Sequence, residues 1–234
     1  MRHYVEKILL ILVLLVSTVT PINADSMTEQ ELEDWFNDDS DMSSDNRVDE
    51  VNEGQLTFIP PPEEKDAVST DAVVTVTADS LDTGMVSLQQ CYRNLDPVPE
   101  VDVVYRYKNM QQLRIVSSGN IVDARVAGNS VQLKDVTKGA FVCIAAEVEL
   151  LEKSTDNNYG LSFGPYYRRF LDGYYPYHAT VKISYPEKLL KFTAVSPSPG
   201  PYFELVRKQG ELILDTWFEG VLLVDITFNS NPDE

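Results

Sequence analysis

The run Phe141-Val142-Cys143-Ile144-Ala145-Ala146-Glu147-Val148-Glu149-Leu150-Leu151 decides the fold class. Val142, Ile144, Ala146, Val148 and Leu150 occupy every second position, the period at which strand side chains share one face. The intervening residues begin apolar, at Phe141, Cys143 and Ala145, and turn polar at Glu147 and Glu149. Such a strand is covered on both faces at its start and wetted on one face later.

The same period spreads outward. Upstream lie Val73 to Thr77, Met85 to Gln90, and the alternation of Val101, Val103, Tyr105 and Tyr107 with Asp102, Arg106 and Lys108. Leu113 to Val116, Ile121 to Ala127 and Val131 to Val136 follow. They are punctuated by Ser117-Ser118-Gly119-Asn120 and Gly128-Asn129, both turn signals. Downstream, Tyr177, Ala179, Val181 and Ile183 face one way and His178, Thr180, Lys182 and Ser184 the other. Leu190 to Ala194, Tyr202 to Arg207, Leu212 to Phe218 and Leu222 to Phe228 complete the set, with tight turns at Gln209-Gly210 and Glu219-Gly220. Only Pro165 to Asp172 reads as a short helix, with Pro165 in its first turn and Gly173 as its stop. Roughly ten short strands without a long helix or a fixed repeat predict an all-β, antiparallel β-sandwich.

The stretch 177–228 resembles the second half of a cohesin-type sandwich. The matching elements are Tyr185-Pro186, Leu190-Lys191-Phe192, Leu212-Ile213-Leu214 and Leu223-Val224-Asp225-Ile226-Thr227-Phe228. The resemblance implies a sandwich fold and carries over no site residues.

Ahead of the sandwich stand two segments of different composition. Residues 1–24 have the order of a secretory signal peptide: Arg2 and Lys7, the apolar run Ile8 to Val16, and Ile22-Asn23-Ala24 at the cut. The apolar run falls short of the roughly 20 residues of a membrane span. Ile22 is larger than the residue usual there, so an uncleaved anchor is the alternative, and membrane contact is expected only in that case. Residues 25–66 carry 15 acidic and two basic residues, a net charge of -13 out of -18 for the 234-residue chain. This is the composition of an acidic disordered linker. Within it, Leu32, Trp35 and Phe36 have helical spacing behind a capping box of Ser26 and Glu29. Leu56-Thr57-Phe58-Ile59 reads as a short strand before Pro60-Pro61-Pro62. The β-sandwich domain is expected over 67–234, and the protein in the periplasm or secreted.

Charge and residue type exclude several functions. So acidic a chain repels phosphate backbones, and no nucleic-acid partner is expected. Once the signal is removed, His178 is the only histidine, too few for a His₂ or His₃ metal centre. Asp39, Asp41, Ser43, Asp45 and Glu50 fit the oxygen positions of an EF-hand frame. Ser44 stands where that frame needs glycine, Arg47 occupies position 9, and no helix leaves the frame, so no metal is assigned. Gly160-Leu161-Ser162-Phe163-Gly164 matches the nucleophile-elbow string, with Asp172 and His178 downstream. No strand-helix alternation surrounds Ser162 and only 16 residues separate it from His178. A serine hydrolase is therefore the alternative reading, and no catalytic residue or cofactor is assigned.

Cys91 and Cys143 are the two cysteines, and an oxidising compartment predicts a disulfide between them. Seven of the 12 tyrosines fall between Tyr159 and Tyr185. Tyr166, Tyr167, Arg168, Arg169, Tyr174, Tyr175 and Tyr177 pair aromatic area with guanidinium donors, a composition suited to recognition. Capping of the sandwich end by these rings is the competing reading. The expected function is non-catalytic binding of a protein or glycan in the cell envelope. A structural subunit whose arm adds Leu56 to Ile59 to a neighbour's sheet is the third possibility.

Overall fold

The computed structural model describes residues 53–63, 67–154 and 158–231. The signal-like segment, the Trp35 island and the EF-hand-like frame lie outside them. The described chain is an antiparallel β-sandwich, with one short helical turn, α1 (Ser80–Thr83).

The first layer is a nine-stranded sheet. Its path begins with β1 (Thr57–Phe58), which lies against β14 (Glu211–Glu219), and continues through β11 (Tyr177–Ser184), β2 (Ser69–Thr75), β3 (Met85–Leu95), β6 (Ser130–Glu149) and β4 (Val98–Val104). β13 (Phe203–Lys208) also pairs with β14, and β5 (Met110–Ala127) also pairs with β6. The pairs are antiparallel except β2 with β11. The second layer has four strands in the order β12 (Leu190–Ser196), β15 (Leu222–Ser230), β8 (Asn158–Tyr166) and β7 (Leu151–Lys153). A separate two-stranded hairpin is formed by β9 (Arg169–Phe170) and β10 (Gly173–Tyr174).

The main core lies between the layers. Val74, Ile183, Leu212 and Phe218 of the first sheet meet Leu161, Phe163, Ile226 and Phe228 of the second, all essentially inaccessible to water. Each such side chain contributes about 1.5–3 kcal/mol. β14 shows the alternation most plainly: Leu212, Leu214, Thr216 and Phe218 are buried while Glu211, Ile213, Asp215 and Trp217 are half-buried. On β6, Val142, Ile144, Ala146 and Val148 are buried, as the alternation predicts.

That strand is longer than it reads. β5 and β6 each span what looked like two strands, and together form one long hairpin around Gly128-Asn129. The signals at Ser117 to Asn120 do not turn the chain. They are absorbed as irregularities in the ladder, between Ile115 and Ser117 and between Gly119 and Ile121. A bulge uses the same positive-φ residues as a turn, and Asn120 has φ 58°. Gly119 lies opposite Phe141, and a Cβ there would stand 2.4 Å from Phe141 Cε1. Glycine is needed at that position to admit the ring. The outer half of the hairpin pairs with β4, and the wing so formed builds a second cluster around Val131, Leu133, Val136 and Tyr105.

The short strand expected at Leu56 to Ile59 forms, and the chain uses it itself. Thr57 and Phe58 pair with Glu219 and Phe218, Ile59 N–H donates to the Trp217 carbonyl at 3.0 Å, and the Phe58 ring stacks on Phe203 at 5.2 Å. Gly220 lies so close to this segment that a Cβ would stand 2.2 Å from the Gln55 carbonyl oxygen. The end of the acidic segment is thus an edge strand of the first sheet.

Candidate functional site

The short helix expected over 165–172 is absent. β8 runs on through Pro165 to Tyr166, and β9 and β10 close a hairpin around Leu171-Asp172. The aromatic residues Tyr166, Tyr167, Phe170, Tyr174 and Tyr175 favour extended backbone. Gly173, at φ 136°, serves the hairpin rather than a helix end.

The seven residues expected to form a binding surface divide into two groups. Tyr166 and Tyr177 belong to the main core, 9% and 5% exposed. Tyr177 shares a 2.6 Å hydrogen bond with the buried Thr70 hydroxyl, and its ring lies 5.6 Å from that of Phe218. They join Tyr92, Tyr105 and Tyr107 in a set of phenols where the two cores meet. Burial drives the Tyr107 and Tyr177 hydroxyls up to about 12, and raises those of Tyr92, Tyr105 and Tyr166. The Tyr92 hydroxyl perturbs that of Tyr105 without completing a hydrogen bond of ordinary geometry.

These shifts have a pH consequence. A phenol whose folded pKa exceeds its unfolded value stabilises the fold below the unfolded value, near 10, and loses that contribution as pH rises through the folded one. Alkaline titration followed by ultraviolet absorbance is expected to show part of the tyrosine signal delayed well beyond pH 10, appearing only together with loss of structure. Ionisation of all tyrosines in a single step near pH 10, with the fold intact, would contradict the buried set.

Tyr167, Arg168, Arg169, Tyr174 and Tyr175 sit on or beside the hairpin, which is braced from within. Arg168 donates two hydrogen bonds to Asp96 in the link between β3 and β4, Nε to Oδ2 at 3.0 Å and Nη2 to Oδ1 at 2.5 Å. Its guanidinium also lies 5.4 Å from the Phe170 ring centre and 5.5 Å from that of Tyr175. The Tyr175 hydroxyl donates to Asp172 at 2.6 Å, and that bond raises its pKa. Tyr174 is flanked by Arg169 at 5.4 Å and Tyr167 at 6.2 Å, and Gly54 packs against its ring. A fork-like Arg–carboxylate pair fixes orientation as well as position.

What the brace leaves outside includes large apolar side chains. Tyr167 is 50% exposed, Phe170 41%, and Leu171 at the tip fully so. Arg169 is exposed and pairs with no carboxylate among the described residues. Phe170 closes the stretch Tyr166-Tyr167-Arg168-Arg169-Phe170 that the sequence points to, whereas Leu171 is not legible there except as an apolar residue ahead of Asp172-Gly173.

The remaining candidates lie elsewhere. Ser162 is mid-strand on β8, exposed, and donates to Asp225 across the ladder at 2.5 Å. His178 is on the other sheet, half-buried, stacked on Trp217 at 4.5 Å and 3.1 Å from Asp215 Oδ2, which also accepts from Thr180 at 2.8 Å. Ser162 and His178 thus have separate carboxylate partners on separate layers. The His178, Asp215 and Trp217 grouping escaped sequence reading because β14 supplies two of its members across the ladder. Among the described residues no cluster of three or more His, Cys, Asp or Glu is arranged to hold a metal ion. No helix among them is long and apolar enough to cross a membrane.

Cys91 and Cys143 are directly opposite each other on β3 and β6 and form a disulfide.

No protein-family model matches the chain, and no curated protein matches it. Among solved structures, an M1 zinc metallopeptidase from Deinococcus radiodurans aligns over 76% of this chain at 12% identity and a TM-score of 0.36. A mutant of that Deinococcus radiodurans enzyme class bound to a Tyr-Ser-Ala substrate aligns over 75% with a TM-score of 0.37, also at 12% identity. A two-domain M1 zinc metallopeptidase mutant bound to L-tryptophan aligns over 74% with the same score and identity. The matched region spans 43% to 44% of each of those chains, under half their length.

Proposed function

We propose that the protein is an exported, non-catalytic β-sandwich that binds a protein partner through the β9–β10 hairpin. The observation that carries this reading is the contrast within the hairpin: a base pinned by Arg168 and Asp96, and a tip at Phe170 and Leu171 open to water. A lone exposed leucine needs no explanation. Exposed Phe170 and Leu171 at the end of a braced hairpin, with exposed Tyr167 beside its base, resemble the anchors of protein interfaces, where rigid aromatic residues enter a partner's pocket. The leucine tip favours a protein over a sugar, because a sugar gains more from flat rings and amides. Export is supported by the order of residues 1–24 and by the disulfide, which suits an oxidising compartment.

Leu171→Asp and Phe170→Ala are the variants that test it. Both side chains are outside the core, so melting temperature should stay within a degree or two. Partner capture from envelope extract should fall by roughly tenfold or more, since hot-spot residues each contribute about 2 kcal/mol or more. Undiminished capture by both folded variants would overturn the hairpin as the binding element.

A further inference from the structure

We propose that a second site, a basic groove at the opposite end of the sandwich, binds a carboxylate-bearing polysaccharide. The β9–β10 hairpin precedes β11 at its Tyr177 end, whereas Tyr185 follows β11 at the other. There Tyr185 N–H donates to the Gly210 carbonyl at 3.0 Å, beside the β13–β14 turn. β14 has nine residues, so the two ends are separated by about 30 Å.

The groove opens where the start of β12 in one layer parts from the β13–β14 turn in the other. It is a shallow groove, wide open to solvent, of about 700 Å³. Lys191, Arg207 and Lys208 line it, together with Tyr185, Phe192 and Gln209. Three cations line one groove of a domain that is itself mildly acidic, residues 67–234 carrying a net charge of -6. Among the described residues their charge is only partly neutralised. Lys208 approaches Glu211 at 3.7 Å, but Glu211 also holds Lys182, and among the described residues Glu187 is the one acidic residue lining the groove. Arg207 lies over the Phe192 ring at 5.7 Å, and neither Arg207 nor Lys191 pairs with a carboxylate among the described residues.

This chemistry selects a ligand class. A guanidinium and two ammonium groups call for anions, and a guanidinium matches a carboxylate in a planar, two-bond geometry. The side-chain amides of Gln209 and Asn231 both donate and accept, as hydroxyl-rich ligands require. Tyr185 supplies partly exposed ring surface for the C–H faces of sugars, while the Phe192 ring seats the Arg207 guanidinium. A polyuronate presents carboxylates, hydroxyls and C–H faces in each repeat. An acidic polypeptide presents the carboxylates without the hydroxyls.

The test is calorimetry of the full chain with oligogalacturonate, neutral dextran and poly-L-glutamate, at low and at physiological salt. Oligogalacturonate is expected to bind, more weakly as salt rises, and dextran and polyglutamate to bind at least tenfold more weakly. The exposed double variant Lys191→Ala, Arg207→Ala should lose roughly tenfold or more in affinity with an unchanged melt, as removal of two charge-assisted contacts predicts. Leu171→Asp should leave this binding intact, which separates the groove from the hairpin. No binding of oligogalacturonate at millimolar concentration, equal binding of polyglutamate or dextran, or full affinity in the double variant would each overturn the proposal.

Discussion

Replacing Tyr177 by alanine is expected to destabilise the domain by about 3–5 kcal/mol, the cost of truncating a buried aromatic. Three losses combine at this position. The ring leaves a cavity beside Phe218, from which it is 5.6 Å away, and its 5% exposure leaves no route for water to fill that space cheaply. The Thr70 hydroxyl, itself fully buried, loses its 2.6 Å partner. β11 loses an inward side chain at the end where the hairpin enters the sheet. Tyr177→Phe keeps the ring and removes only the hydroxyl, so it should cost about 1–2 kcal/mol. Tyr167→Ala on the hairpin should stay within about 0.5 kcal/mol, the usual range for surface positions. Urea melts of the three variants give these values directly. A Tyr177→Ala protein as stable as the parent would remove Tyr177 from the core.

Breaking the disulfide is the second large perturbation. Cys91 and Cys143 are 52 residues apart in sequence, and closing that interval restricts the unfolded chain by about 4 kcal/mol in the loop-entropy description. The bridge links two strands already paired through their ladder, at a point where the strands are in register. Reduction is therefore expected to leave the β signature in circular dichroism while moving the denaturation midpoint to much lower urea. The Cys91→Ala, Cys143→Ala variant should melt as the reduced parent does, and mass spectrometry without reductant should find the two cysteines linked. Two alkylatable thiols in the native protein, or a midpoint indifferent to reductant, would contradict the bridge.

Strand periodicity was legible wherever one face is buried. The inward sets on β6, β11 and β14 are the ones that alternate in the sequence, because burial on one face is what writes period two into a strand. Local signals failed where one residue type serves two backbone purposes. Gly119-Asn120 reads as a turn and is a bulge, since both need the same dihedral angles, and only the partner strand decides between them. Gly173 ends no helix, because the aromatic residues around it favour extended backbone and Arg168 finds its carboxylate 72 residues earlier, at Asp96. Separating Tyr166 and Tyr177 from Tyr167 and Tyr174 required the fold: all are tyrosines in one short segment, and their sorting depends on the layer each strand faces. The groove around Arg207 was invisible for the same reason, being assembled from β12, the β13–β14 turn and Tyr185.

Photocross-linking from position 171 addresses hairpin recognition most directly. A benzoylphenylalanine residue placed at Leu171 extends from a fully exposed side chain without touching the core. The same probe at Leu223, 49% exposed on the second sheet, is the control. In the native cell, irradiation is expected to yield one discrete protein adduct from position 171 and none of that mass from position 223, with the adduct abolished by Phe170→Ala. An irradiated sample with no protein adduct from 171, or with the same adducts from both positions, would contradict recognition through the hairpin.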